Sequence, residues 1–187
     1  MQIRFHFNVD KALDAMAYFL DKLGTTDKAK LTKLVFLADR EHFIRHGVPV
    51  TGDCQCAMKY GPVPSSTLDV LNGEYPGASS VFDWIHVNDF RVELRSCPPP
   101  MLSETEIASI KNVIAEHGHK GTWDLVRETH RLPEYVESFV EGTSKPIPYE
   151  RIAKFSGDES RFRLDRAVIS AETAAHMTCP FSPDPDL

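Results

Sequence analysis

Two histidines and two cysteines near the middle of the chain are the first side chains whose spacing suggests chemistry. His42 and His46 stand four apart in a stretch of helical periodicity and so share a face. Cys54 and Cys56 stand two apart in a segment that reads as a short strand, and they share a face as well. Zinc takes two imidazoles and two thiolates in a tetrahedron. Yet H-x3-H followed by C-x-C at this separation fits no familiar zinc module. The plainer reading has His42 half-buried on its helix and the cysteines as small packing residues. A cysteine hydrolase would pair Cys54 or Cys56 with His119 or His130, but nothing around them forms a nucleophile motif. The G-x-S-x-G elbow, the P-loop and the G-x-G-x-x-G fingerprint are all missing. The residues therefore predict no catalytic centre, no metal and no cofactor. A metal- or cysteine-dependent hydrolase stays open as an alternative.

Two stretches suggest binding. Lys30, Lys33, Arg40 and Arg45 run along the same predicted helix, interspersed with Asp39 and Glu41. Such a pattern is ordinarily a solvated, mixed-charge face. Its functional alternative is a docking surface on which Lys33, Asp39 and Arg40 set the polar register of a protein partner. The second stretch is KYGPVPSS at 59–66. Pro62 and Pro64 fix their own φ angles and push Gly61 and Val63 toward extended backbone. Tyr60 is expected at the lip of this stiff corner. The corner can simply end a strand and aim a helix. It can also serve as a ledge, with Tyr60 and Pro62 as anchors and Gly61 and Val63 beside them, where docking costs little entropy.

The elements that must position these residues are mostly helical. Leu13, Met16, Ala17, Leu20 and Leu23 form one stripe over 8–24, with Asn8 as N-cap and Gly24 as stop. A longer helix covers 26–47. Leu31, Leu34, Val35, Ala38 and His42 line one side of it, Thr26 or Asp27 caps it and Gly47 ends it. A turn, a strand over 54–60 and a brief helix from Ser65 or Ser66 to Leu71 follow. The clearest hairpin signal is 84–95, turning at Asn88-Asp89. Ser103 and Glu106 form a capping box ahead of Ile107, Ile110, Val113 and Ile114. A helix from Thr122 places Trp123, Val126 and His130 on one side, and two short helices follow Pro133 and Pro148. The expected fold is α+β: a mostly helical single domain over 1–157, with helices covering one side of a small antiparallel sheet. Residues 158–187 are a partly irregular C-terminal extension.

Composition bounds the function. With 187 residues, 42% of them hydrophobic and 26% charged, the chain is long enough for one domain with a proper core. No apolar run approaches a membrane span, and the start MQIRFHFNVDKALDAM lacks the layout of a secretion signal. A cytoplasmic protein without membrane attachment is expected. The net charge of −6 counts against a dedicated nucleic-acid binder. Four irregularly spaced cysteines suit a reducing compartment.

The helix and the corner together resemble a known family. KLTKLVFLADREHFIRHGVPVTGDCQCAMKYGPVPSSTLDVL is similar to the hallmark segment of the Panacea antitoxin domain, also called SocA-like or GepA-like. Lys30, Leu31, Lys33, Leu34, Phe36, Ala38 and Asp39 match its K-L-x-K-L helix. Gly47, Pro49, Thr51, Gly52 and Asp53 match its G-x-P-x-x-G-D turn. Ala57, Tyr60, Gly61, Pro62, Val63 and Pro64 match its A-x-x-Y-G-P-V strand end. Leu102, Ser103, Trp123, Leu125, Thr129 and His130 carry a weaker likeness in the second half, and IPYERIAKF another. The likeness runs from about Ala12 to Phe155. Phe36 stands where a tyrosine is common, and Cys54 and Cys56 stand where larger residues are expected.

The resemblance implies an antitoxin of a bacterial or phage toxin–antitoxin pair, which binds and blocks a protein toxin encoded beside it. One branch of the family is an adaptor that delivers its toxin to a protease. The family is not known for a catalytic centre. Operon autorepression is a further alternative, opposed by the net charge and by the lack of a recognisable recognition helix.

Overall fold

The computed structural model describes residues 3–157. The proposed extension over 158–187 lies outside the described residues. Seven α-helices and six short strands follow in order among them. Helix α1 spans Val9–Leu23, strand β1 Thr26–Asp27 and helix α2 Lys28–His46. Strands β2 (Gln55–Met58) and β3 (Gly61–Pro64) lead into α3 (Ser65–Asn72). A 3-10 turn precedes β4 (Ile85–Asn88) and β5 (Arg91–Leu94). Then come α4 (Glu104–His117), α5 (Thr122–Thr129), α6 (Pro133–Ser138), β6 (Lys145–Pro146) and α7 (Tyr149–Lys154).

The helix ends fall where the capping residues put them. The Asn8 side chain accepts a hydrogen bond from Lys11 N at 3.0 Å, and Asp27 accepts one from Lys30 N at 2.8 Å. Ser103 and Glu106 complete a reciprocal capping box. Gly47 closes α2 in the left-handed region at φ 79°.

The fold is α+β and mostly helical, with one change from expectation. There are two three-stranded antiparallel sheets, ordered β1-β5-β4 and β3-β2-β6. Strands β1, β3 and β6 leave no signal in the sequence. Two-residue strands carry no period, and the prolines of Gly61–Pro64 argue against a strand. They are tolerated because β3 is an edge strand, where a missing N–H costs no ladder bond. The hairpin turns one residue later than expected, at Asp89-Phe90, with Asp89 at φ 51°.

Helix α2 is the axis of the domain. It packs against α1, α3, α4, α5, α7 and β3. From Leu31 to Asp39 every residue is buried, including Thr32, Lys33 and Asp39. The charges that suggested a solvated flank are partly inside. Elements close around the helix on all sides, so a one-sided apolar stripe is not what positions it.

The turn after α2 is locked by two buried carboxylates. Asp39 accepts from Thr51 N at 2.7 Å, from the Thr51 hydroxyl at 2.6 Å and from Gln55 Nε2 at 2.8 Å. Burial pushes its carboxyl up to about 7, against the hydrogen bonds from Thr51 and Gln55 that favour the anion. Asp53 accepts from Ser66 N at 2.9 Å and Thr67 N at 2.7 Å. It thus caps α3, whose own N-cap residue, Pro64, has no side-chain bond to offer. Gly52 is at φ 74°, and a Cβ there would lie 2.2 Å from the His6 carbonyl oxygen.

Asp39→Asn keeps the shape but replaces one acceptor oxygen with a donor. The Thr51 hydroxyl can turn round, and the Gln55 amide can flip only by giving up its contact with the Tyr149 hydroxyl, while the Thr51 N–H is fixed as a donor. We expect a loss of about 1–3 kcal/mol, which is a fall of roughly 5 °C in Tm. Thermal unfolding followed by circular dichroism checks this, and an unchanged Tm would refute it.

Candidate partner-binding site

The seven residues expected to bind a partner divide by depth. Lys33 and Asp39 are 1% and 0% exposed, and Gly61, Pro62 and Val63 are buried in β3. Arg40 is half-buried, and its Nε is paired with Glu134, which is itself fully buried. Tyr60 is 54% exposed. Lys33 and Asp39 therefore offer no surface group for polar register. They lie beneath the surface, and Tyr60 reaches solvent.

Tyr60 does not stand alone. Trp123, on the first turn of α5, lies edge-on to it with ring centroids 5.9 Å apart. Phe90, at the hairpin turn, completes the group. Trp123 is 64% and Phe90 66% exposed, and all three aromatics line one groove of about 810 Å³. Its walls include Ala29 and Thr32 of α2, Met58, Val63 and Leu68. Exposed rings gathered on one concavity are the arrangement expected of a recognition site and not of scattered surface residues.

Backbone geometry holds the groove together. The Phe90 carbonyl accepts from Lys28 N at 2.7 Å, which fixes the hairpin turn to the start of α2. Helix α5 approaches β3 closely at Gly61, which is at φ 98°. A Cβ there would meet Thr129 Oγ1 at 2.9 Å, Lys33 Cε at 3.0 Å and His130 Cδ2 at 3.2 Å. Only glycine lets the three elements meet, so the rigid corner aims α5 as well as Tyr60. The spacing predicts Trp123, Val126 and His130 on one side of α5, but Val126 is buried and Trp123 faces out. Phe90 falls within the predicted hairpin, and no local signal joins it to residues 30 positions earlier or later.

Lys33 lies beneath this surface and also lines the groove. Its ammonium donates to the Pro62 carbonyl at 2.9 Å. Burial lowers its pKa to about 8. Nearby His130 is also lowered, first by burial and then by the Lys33 charge, and its Nε2 has no hydrogen-bond partner among the described residues.

The residues considered for chemistry are differently placed. His42 Nδ1 lies 2.7 Å from the Val48 carbonyl and Nε2 3.2 Å from the Thr105 hydroxyl. A carbonyl only accepts, so Nδ1 carries the proton and Nε2 accepts from Thr105. Cys54 is exposed and Cys56 buried. Both are free thiols, and a hydrogen bond between them lowers the pKa of the Cys56 thiol and raises that of Cys54. Among the described residues neither His119 nor His130 hydrogen-bonds to these thiols, so the hydrolase pairing is not assembled. The three-ligand grouping that is found, Glu116, His117 and Glu128, already holds the Lys120 ammonium, at 2.8 Å from Glu128 and 3.1 Å from His117.

The folded pKa of Lys33 lies below its ordinary 10.5, so the unfolded chain binds more protons between about 8 and 10.5. Stability should rise across that window in the wild type and lack this rise in Lys33→Met. At neutral pH the variant should be equal or more stable by about 1–2 kcal/mol. Denaturant midpoints measured across the window test this; identical pH dependence would mean that the ammonium is solvated.

Among the described residues no helix is long and apolar enough to cross a membrane. No curated protein and no solved structure matches the chain. Residues 31–134 match the family model described as antitoxin SocA-like, Panacea domain. That span is more than half of the chain, and it contains the α2 core, both locking carboxylates, the Tyr60–Pro64 corner and all three groove aromatics. With that match, on the segment whose motifs resemble the family, the chain belongs to the SocA-like antitoxins that carry a Panacea domain.

Proposed function

We propose that this protein is an antitoxin that neutralises a protein toxin by seating part of it in the groove beside the Tyr60–Pro64 corner. The observation that carries the reading is the convergence of Tyr60, Phe90 and Trp123 on one apolar concavity. Aromatic side chains supply large contact area with few torsions to freeze, and they dominate binding energy where they fill a partner's pockets. The surface is preformed: the hairpin turn is bonded to α2, and α5 is packed onto Gly61. Little ordering entropy is then lost on docking. The protein acts by binding and makes or breaks no bond.

Tyr60 and Trp123 are exposed, so replacing them should change stability by no more than about 0.5 kcal/mol. Tyr60→Ala with Trp123→Ala should weaken binding to the product of the adjacent reading frame by about tenfold to a hundredfold. It should also abolish protection when the two proteins are expressed together in growing cells. Titration calorimetry and growth curves measure both effects. Full protection by a folded double variant would place the toxin elsewhere on the surface.

A further inference from the structure

The groove is apolar, yet the charges that line it are one-sided. Lys28, Lys33 and Lys59 line it on the basic side, and Asp27 is its one carboxylate. Asp27 is already engaged: Oδ1 accepts from Lys30 N and Oδ2 from the Thr122 hydroxyl. The lysines meet neutral groups. Lys28 reaches the Asn72 side-chain oxygen at 3.1 Å, Lys59 lies over the Tyr60 ring at 5.5 Å, and Lys33 reaches the Pro62 carbonyl. An ammonium has three donors, and Lys33 has one acceptor among the described residues. Three lysines without a carboxylate partner, in a chain of net charge −6, run against the protein's overall field.

We propose that the segment received by this groove is an apolar stretch of the toxin that carries a carboxylate, with the rim residues Lys28 and Lys59 as its counter-charges. This rests on the reading of the groove as the toxin-binding surface. Aromatic or aliphatic side chains of the segment pack among Tyr60, Phe90 and Trp123. The carboxylate pairs with the Lys28 and Lys59 ammoniums at the rim, where partial exclusion of water strengthens a charge-assisted hydrogen bond. A basic segment is refused, because it would set like charges beside Lys28 and Lys59. Aromatics with lysines also suit single-stranded nucleic acid. The apolar walls and the acidic whole favour a polypeptide, since a strand's phosphates need a continuous basic track.

The test uses the full chain, immobilised and panned with a random short-peptide library displayed on phage. Enriched peptides should combine aromatic or leucine residues with Asp or Glu, and they should be released by raised salt. Measured as synthetic peptides, they should associate about tenfold more slowly with Lys28→Glu/Lys59→Glu, because rim charges govern encounter. Enrichment of purely apolar or basic peptides, or rates indifferent to Lys28 and Lys59, overturns the proposal. So does displacement by an oligothymidine strand, or by a synthetic peptide of residues 158–187, which would put nucleic acid or the chain's own tail in the groove. Toxin capture lost with the aromatics but kept by the lysine variants removes only the acidic partner. Capture kept by the aromatic variants removes the groove itself.

Discussion

The Asp39 carboxylate, sealed against the turn that follows α2, is the constraint on which the rest of the domain depends. An anion with no solvent must be met by donors, and here the donors are Thr51 and Gln55. Thr51 is thereby fixed to the central helix, and its carbonyl also accepts from Asn8 N at the start of α1. Gln55 opens β2, so the same carboxylate sets where the second sheet begins. Asp53, between them, caps α3 from outside that helix. Tyr149 closes the network by donating to the Asp53 carbonyl at 2.9 Å and accepting from Gln55. Five elements take their positions from one polar cluster, whose members would each be costly to leave unmatched.

The groove inherits its rigidity from that cluster. Strand β2 carries β3 by antiparallel pairing from Gln55↔Pro64 to Met58↔Gly61. The tight turn between them projects Tyr60. Gly61 then admits Thr129 and His130 to close range, so α5 delivers Trp123 to the same rim. On the other side, the hairpin reaches α2 through β1, with Thr26 opposite Val92 and Asp27 opposite Arg91. Each wall of the groove is thus tied to α2. The groove is held in shape by the fold itself.

Polar groups inside this domain serve placement more than surface recognition. The Arg40–Glu134 pair ties α6 to the central helix, and Lys30 reaches the Gly118 carbonyl at the end of α4. Lys33 is buried and supports the Pro62 backbone through its ammonium.

Much of the local structure was legible in the residues themselves. Caps at Asn8, Asp27 and Ser103, stops at Gly24 and Gly47, and the hairpin at 84–95 depend on neighbours a few positions away, and these forces are written in order along the chain. The hallmark helix, turn and corner were enough to identify the family. Burial of the apolar stripes was legible too; burial of the charged residues was not. The charges of α2 read as solvated because a sequence shows their spacing and not the elements that close round them, and only packing on every side put Lys33 and Asp39 inside. Proline-bearing β3 and the two-residue strands have no period of their own; they exist because a partner strand stands beside them. The groove is the extreme case: Tyr60, Phe90 and Trp123 are separated by about 30 residues each, and only the packing of hairpin, corner and α5 about one helix brings their rings to a common rim.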